Sequence, residues 1–584
     1  MVYVSSHNIV SSLGFSSSEN FKNIEKNISG IKEITDKNIS PTPAYISQVN
    51  SKVLNNEFAK LSNNKEYTRF EKLLILSING AISKSEVDIK SKKTALIIST
   101  TKGNINLLNK NISTNFENDR MQVWKSSEII KDYFKNPNDI ITISNACISG
   151  ALAIIVAKRL IDANKYDNII IAGADILPEF TLSGFQAFKA VSEGACKPFD
   201  KDRTGMTPGE GAATLILTNN EDIALKPTIA ISGGASSNDA NHISGPSRTG
   251  EELAISINKS LKEAGLNTQD IDYISAHGTA TLFNDEMEAK ALTLTKLNNA
   301  NISSIKAYIG HTFGAAGIIE TILGVHALAK NKIYKSLGYN EQGTENKLNI
   351  LTENKNINIS NVLKTASGFG SCNASLIISK ENSAKQNFHK TGFTINKKIK
   401  LQNNKLFIDD KKVEIIEDAE ELSFAKYAKA LYKHLGIKYP KYYKMDKLSK
   451  LAFIASEILL KDTKLIQNTN NEDIAVIISN GSSSLITDAE YQKTIDDKDN
   501  YFPSPSVFVY TLANVMVGEI CIRNKIKGEN TVFISKEFNK DFIFDYVNIL
   551  FKTEKANACI TGRIEYNYPN ENYDAELYLL DVKK

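Results

Sequence analysis

No uninterrupted apolar run in the 584-residue chain approaches the roughly 18 residues needed to cross a bilayer, so a membrane span is not expected. The amino terminus, Met1-Val-Tyr-Val-Ser-Ser-His-Asn8, also lacks the basic n-region and apolar core of a secretion signal, and it is read as the first strand of the fold. Cysteine is scarce. Cys147, Cys196, Cys372, Cys521 and Cys559 are scattered without C-x-x-C spacing, which indicates neither a zinc site nor a disulfide framework and fits a reducing cytoplasm. A formal charge of +4 is too small at this length to suggest nucleic-acid binding, although it leaves room for a local basic patch facing an acidic partner.

What is present is ordinary globular material: 42% hydrophobic and 23% charged residues, enough chain for two to four units at roughly 150 residues each. Ala95-Leu-Ile-Ile-Ser99 and Asn168-Ile-Ile-Ile-Ala-Gly173 are short apolar strands without alternation, and helices separate them. That pattern belongs to a sheet covered on both faces, hence α/β architecture. Between them lies Ile141-Thr-Ile-Ser-Asn-Ala-Cys-Ile-Ser-Gly150, a strand running into a turn, followed by a helix dense in alanine and aliphatic residues. Cys147 therefore stands where a helix begins. There the helix dipole and free N–H groups favour thiolate, although a lone cysteine in an apolar stretch also serves as a small core hydrophobe.

Two histidines share a second grammar. Tyr273-Ile-Ser-Ala-His-Gly-Thr-Ala-Thr281 and Lys306-Ala-Tyr-Ile-Gly-His-Thr-Phe-Gly314 each place an imidazole beside glycine at the end of a strand and before a helix. A histidine at such a junction is often structural. Two of them point to one shared pocket, because open α/β sheets bind ligands at the carboxyl ends of their strands. The loop from Cys196 to Ala212 adds Asp200, Asp202, Arg203 and Glu210, which are read as pairing to clamp that loop beside a neighbouring site.

Five stretches together resemble the β-ketoacyl-acyl carrier protein synthases of the thiolase fold: the cysteine elbow, Pro198-Phe-Asp with Arg203-Thr-Gly and Gly209-Glu-Gly-Ala, His277-Gly-Thr with Thr281 and Asn284-Asp, Gly310-His-Thr with Gly314-Ala-Ala-Gly, and Gly368-Phe-Gly with Asn373-Ala-Ser-Leu. The resemblance covers residues 1 to about 382 and implies an αβαβα five-layer domain with halves of about 1–225 and 226–382. It also implies decarboxylative condensation of malonyl-acyl carrier protein with an acyl group held as a thioester on Cys147. His277 and His311 would stabilise the thioester oxyanion without a metal, supported by Lys306 and the buried Glu320. The N–H groups of Cys147 and Phe369 would form the second oxyanion hole, the Phe369 ring gating the acyl pocket. Thr279 and Thr281 would hold the phosphopantetheine arm of the carrier protein, with no cofactor of the synthase's own. Ala280 and Ser371-Cys372 depart from the family pattern, but both substitutes are small.

After a polar stretch read as a linker at 383–400, the remainder, 401–584, echoes the first domain. Lys450-Leu-Ala-Phe-Ile repeats Lys72-Leu-Leu-Ile-Leu, Ala475-Val-Ile-Ile-Ser479 repeats Ala95–Ser99, and Ala556–Gly562 repeats the strand ending at Gly173. Tyr510–Glu519 is laid on the cysteine elbow with Gly518 on Gly150, which puts Val515 in the nucleophile's place. No histidine motif follows. The tail is similar to the chain-length factors that accompany synthases of aryl polyene and flexirubin-type pigments, which implies a truncated, inactive half-synthase paired with the active domain within or between chains, in a homo-oligomer. Cys521 and Cys559 are read as core residues. A non-catalytic scaffold that binds carrier protein is a second reading. A coenzyme A-dependent thiolase with Cys372 as second catalytic cysteine is a third.

Overall fold

One strand order recurs three times. The structure, a computed structural model, describes residues 1–63, 65–110, 115–380, 386–497 and 499–583. The chain begins with β1 (Tyr3–Val10), α1 (Arg69–Ile82), β2 (Thr94–Ser99), α2 (Val123–Phe134), β3 (Ile141–Ile143), α3 (Ser149–Asp162), β4 (Asn168–Asp175) and β5 (Gly211–Thr218). Across the sheet the order is β1-β5-β4-β2-β3, antiparallel at the β1 edge and parallel from β4 to β3. Then come β6 (Ala230–Asn238), α4 (Glu251–Ala264), β7 (Tyr273–Ser275), α5 (Leu282–Leu294), β8 (Asn301–Ser303), α6 (Lys306–Ile309), α7 (Ala316–Lys330), β9 (Asn361–Gly368) and β10 (Cys372–Ser379). Their order, β6-β10-β9-β7-β8, is the same one again.

These two halves stack in five layers. The α1 helix, started by a Thr68–Glu71 capping box, covers the outer face of the first sheet, and α4 with α5 covers the outer face of the second. Between the sheets lie α3 and α7. Every α3 residue from Ser149 to Ile161 is buried, which is why this helix is apolar all round rather than striped. The two central helices cross where neither carries a side chain: a Cβ on Gly150 would lie 2.8 Å from the Gly314 carbonyl oxygen, and one on Gly317 only 2.3 Å from the Ala151 nitrogen. The Phe313–Lys330 stretch is apolar enough in composition to cross a membrane, but it is 83% buried inside the protein and is this core helix.

The third copy is the tail: β11 (Phe393–Gln402), β12 (Lys405–Ile408), β13 (Lys411–Val413), α8 (Lys447–Leu460), β14 (Ile474–Asn480), α9 (Leu485–Asp496), α10 (Val515–Asn524), β15 (Asn530–Ile534), α11 (Lys540–Lys552), β16 (Ala558–Tyr566) and β17 (Tyr573–Val582). The order β11-β17-β16-β14-β15 matches the first sheet strand for strand. Even an irregularity is shared. The register of β1 on β5 slips between Val4 and Ser6, and that of β11 on β17 slips between Ile395 and Lys397. The first and third sheets meet edge to edge, antiparallel, at Ile143 and Phe533, and the Ser144 N–H donates to the Val532 carbonyl at 3.2 Å. Each sheet thereby covers an edge that would otherwise be an open pairing template.

Two sequence expectations are corrected. Of the proposed linker, residues 383–385 lie outside the described residues, but Phe393–Gln402 is a strand, polar because one of its faces is open to solvent. The elbow of the tail was placed one helix too early. Val515 opens α10, which lies between β14 and β15 as α2 lies between β2 and β3; the counterpart of the Cys147 turn is Ser535-Lys-Glu-Phe-Asn539, between β15 and α11. A buried apolar helix start with a glycine imitates the elbow pattern, but no strand precedes it, and Pro505–Phe508 there is a short helix.

The seam is charged as well as apolar. Arg159 of α3 contacts Glu529, both side chains being about 4% exposed, and Tyr546 of α11 bridges them at 2.7 and 2.9 Å. Arg159→Met should cost about 3–5 kcal/mol, because it strands a buried carboxylate, and Arg159→Met with Glu529→Leu should recover much of that loss. Denaturant midpoints of the three proteins measure it.

Candidate active site

The turn that carries Cys147 is built by local hydrogen bonds and clasped by the tail. The Ser149 hydroxyl donates to the Ala146 carbonyl at 2.6 Å and accepts from the Asn145 N–H at 2.7 Å, holding Ala146 at φ +47°. Asn145 reaches across the seam, where its amide accepts from the Val532 N–H at 2.7 Å and donates to the Asn530 carbonyl at 3.2 Å. Cys147 emerges from this turn into a cavity of about 420 Å³. Its helix begins only at Ser149, and burial pushes the thiol up to about 12; the charge of Lys306 and the residue's own N–H pull the other way without winning. The thiolate expected from the helix start is thus not the resting state.

His277, His311, Thr279, Thr281 and Phe369 line that same cavity. The two imidazoles meet edge to face with centroids 5.3 Å apart. Their tautomers follow from their partners. The Phe313 N–H donates to Nδ1 of His311 at 3.2 Å, and the Lys306 ammonium lies 3.4 Å from Nδ1 of His277, so in both rings Nε2 carries the proton. Burial, reinforced by the Lys306 and Lys364 charges, holds both imidazoles well below the usual histidine range, and both are neutral N–H donors at pH 7.

Behind them lies a buried ionic chain. Lys306 donates to the His277 carbonyl and to Glu320, each at 2.5 Å. The Glu288 carboxylate accepts the His277 and Gly278 N–H groups, each at 2.8 Å. Asp175, at the end of β4, accepts from Thr100 and from the Gly314 N–H, each at 2.7 Å, and so ties the α7 entry to the first sheet. Glu288, Asp175 and Lys364 were missed as site residues; Asp175 and Glu288 stood at a strand end and in a motif, whereas Lys364 is a mid-strand lysine with no sequence signal.

The 368–370 turn lies close against the elbow: a Cβ on Gly368 would lie 3.0 Å from the Cys147 nitrogen, a tight contact that glycine avoids. The Phe369 ring packs on Phe185 and Phe188, at centroid distances of 5.9 and 5.8 Å. Thr279 and Thr281 hydroxyls are 2.8 Å apart at the mouth. Cys372 does not line the cavity. It is buried under the Phe369 turn, 3.3 Å from that carbonyl, which removes it as a second catalytic cysteine.

The loop acids and Arg203 form none of the expected ion pairs with one another, although the Asp202 N–H donates to the Asp200 carboxylate at 2.9 Å. Glu210 binds Arg69, at 2.5 Å; Asp200 accepts the N–H groups of Asn340 and Glu341, at 2.7 and 3.0 Å; Arg203 donates to the carbonyls of Asp200 and Gly343 and lies 3.7 Å from Asp285. The Asp285 carboxylate in turn accepts the Phe199 and Thr279 N–H groups, so the loop is clamped beside the site through α5. A larger groove of about 890 Å³ opens at the tail's own turn, 535–539, and neither cysteine nor histidine is among its lining residues. Among the described residues no group of three or more His, Cys, Asp or Glu is placed to hold a metal ion.

Residues 2–222 match the family described as "Beta-ketoacyl synthase, N-terminal domain" and residues 229–340 its C-terminal domain, together more than half of the chain. The chain belongs to the β-ketoacyl synthase family. It is 35% identical over 267 residues to 3-oxoacyl-[acyl-carrier-protein] synthase 2 of Rhizobium meliloti (strain 1021), and 32% identical over 263 residues to the polyketide biosynthesis malonyl-ACP decarboxylase PksF of Bacillus subtilis (strain 168). These matches take in 43% of this chain and 62% and 61% of those relatives, so less than two thirds of their length is spanned. The PfaC keto synthase-chain length factor structure aligns over 99% of this chain and 78% of its own, with a TM-score of 0.75 at 12% identity, which shows that the whole chain, tail included, shares that fold.

The depressed imidazoles give a pH test. A free histidine would be half protonated at pH 6.5. Histidine-ring NMR titrations of the protein should show two imidazoles, absent in His277→Ala and His311→Ala respectively, that stay neutral well below that value.

Proposed function

We propose that the protein condenses malonyl-acyl carrier protein with an acyl group parked on Cys147, elongating a fatty acyl or polyene chain. The observation that carries this reading is the convergence of one thiol and two neutral Nε2–H imidazoles on a single cavity. In the first step the Cys147 sulfur attacks the carrier-bound acyl thioester, the carrier sulfur leaves, and the thiol proton goes with it. In the second, malonyl thioester enters past Thr279 and Thr281 and loses carbon dioxide. The enolate oxygen that forms is held by the His277 and His311 N–H donors, each such donor being worth about 10²- to 10³-fold in rate. The enolate carbon then attacks the parked acyl carbonyl, whose oxygen faces the Cys147 and Phe369 N–H groups. Collapse releases β-ketoacyl carrier protein and the Cys147 thiolate, which takes up one proton from water to restore the thiol.

The tail's part is to complete the acyl pocket. Phe508, Thr511 and Leu512 line the cavity from the far side of the seam. Phe508 fits because residue 184 is glycine: a Cβ there would lie 2.2 Å from the ring. Tyr491 bonds Ser183 at 2.8 Å, and Lys102, itself lining the cavity, pairs with Asp488 at 2.6 Å. With no cysteine in its own turn, the tail is read as an inactive chain-length-factor-like partner that pairs within one chain.

Mass spectrometry after incubation with acyl-carrier protein should show one acyl group on the wild type and none on Cys147→Ala; an acyl group that persists on the variant refutes the nucleophile. Phe508→Ala should shift the product series from malonyl-carrier protein towards longer chains, read as the mass distribution of released β-ketoacyl groups, with little change in malonyl consumption.

A further inference from the structure

Glu320 lies between two buried ammonium groups. Lys306 approaches one carboxylate oxygen at 2.5 Å and Lys364 the other at 2.7 Å, and the two lysines are 1% and 0% exposed. Lys364 stands in the middle of β9 and its Nζ also contacts the Thr365 carbonyl. Thr365 belongs to the same assembly: its hydroxyl donates to Glu288 at 2.5 Å and accepts the His277 N–H at 3.2 Å. A lysine is a costly residue for a fully buried central strand, and an aliphatic side chain would satisfy the strand equally well.

We propose that Lys364 is a positioning residue for the condensing reaction: it shares Glu320 with Lys306, and its added ammonium keeps the two carboxylates behind His277 and His311 from turning that wall electronegative. This deepens the condensing activity proposed above and rests on it. The charge count supports it. Around His277 and His311 stand Lys306 from α6, Lys364 from β9, Glu320 from α7 and Glu288 from α5, with Cys147 across the cavity. Two ammoniums therefore stand against two carboxylates, Glu288 being turned to two main-chain N–H groups and the Thr365 hydroxyl, and without Lys364 the anions would outnumber the cations. The Lys364 charge thus does two things: it disfavours protonation of the imidazoles, so they remain neutral donors, and it favours the negative charge that develops on the thioester oxygen. Both histidines feel the Lys364 charge.

The test compares wild type, Lys364→Met, Lys364→Gln and Lys364→Arg, each first checked for a native melting transition. Two readouts are taken: steady-state decarboxylation of malonyl-carrier protein across pH, and histidine-ring NMR titration, which needs no turnover. In Lys364→Met the titrations of His277 and His311 should move up by roughly one pH unit, and the acid limb of kcat should follow. The kcat should fall about tenfold with KM changed by less than about twofold, and Lys364→Arg should restore most of both. Lys364→Gln replaces the methionine variant if that one does not fold. Imidazole titrations that stay in place in a folded, neutral variant overturn the proposal, whatever happens to the rate. Wild-type protein that fails to decarboxylate malonyl-carrier protein refutes the condensing reading instead, and the titrations still decide the role of Lys364.

Discussion

The site depends on how closely α3 and α7 approach each other. Cys147 lies three residues before Gly150, and His311 three before Gly314, so the two reactive groups hang from the same crossing. Side chains at Gly150 or Gly317 would meet backbone atoms, which cannot turn aside as a flexible side chain can. The entire α3 helix is buried around that contact, and Asp175 fixes it from the first sheet by binding both Thr100 and the Gly314 N–H. Packing at this density transmits displacement. A shift of the crossing would therefore move the sulfur relative to the imidazoles and change the geometry of every step that uses both.

The tail extends the same constraint from the other side. A thiolase-like half must bury its central helix against a partner. The tail's solution is to place β15 against β3 and to set α11 beside α3, where the apolar residues of both join one core. Because β3 leads directly into the Cys147 turn, the contact that stabilises the tail also holds Asn145. Asn514 of the tail donates to the Phe369 carbonyl at 2.7 Å, so the gate turn is held by the same partner. Stability of the tail and geometry of the site are thus not separable functions of different regions. The Arg159–Glu529 pair lies in this seam, and its buried charges make alternative registers of the two sheets costly.

Much of this was legible in the residue order. The elbow, the His277 junction and the glycine turn at 368–370 could be read because each couples a strand end to a small residue and a functional side chain; His311 was expected at a strand end as well, but Lys306–Ile309 before it is a short helix. The echo of Ala95–Ser99 in Ala475–Ser479 was legible because buried parallel strands tolerate few residue types. Three things were not. The tail's elbow was misplaced at Val515, since helix starts packed on neighbouring backbone share the same apolar and glycine signature whether or not a strand precedes them. The partners of Asp200, Arg203 and Glu210 were invisible, because Arg69, Asp285 and Asn340 come from elements far away in sequence. Lys364 reads as a strand lysine facing solvent, and only the placement of Glu320 beneath it shows that it does not.

The electrostatics of Cys147 also differ from what a helix start suggests, and the difference bears on the order of events. Burial outweighs the local N–H groups and the Lys306 charge, so the sulfur keeps its proton at rest. Neither histidine can take that proton at Nε2, because both Nδ1 atoms are engaged as acceptors and both Nε2 atoms already carry hydrogen. In the proposed condensation the exchange of thiol for thioester is neutral in net protons, because the proton that leaves Cys147 ends on the departing carrier thiol; the sulfur must still release it to attack as thiolate. The imidazoles, already protonated at Nε2, stay through that exchange in the donor state that the enolate of the following step would need.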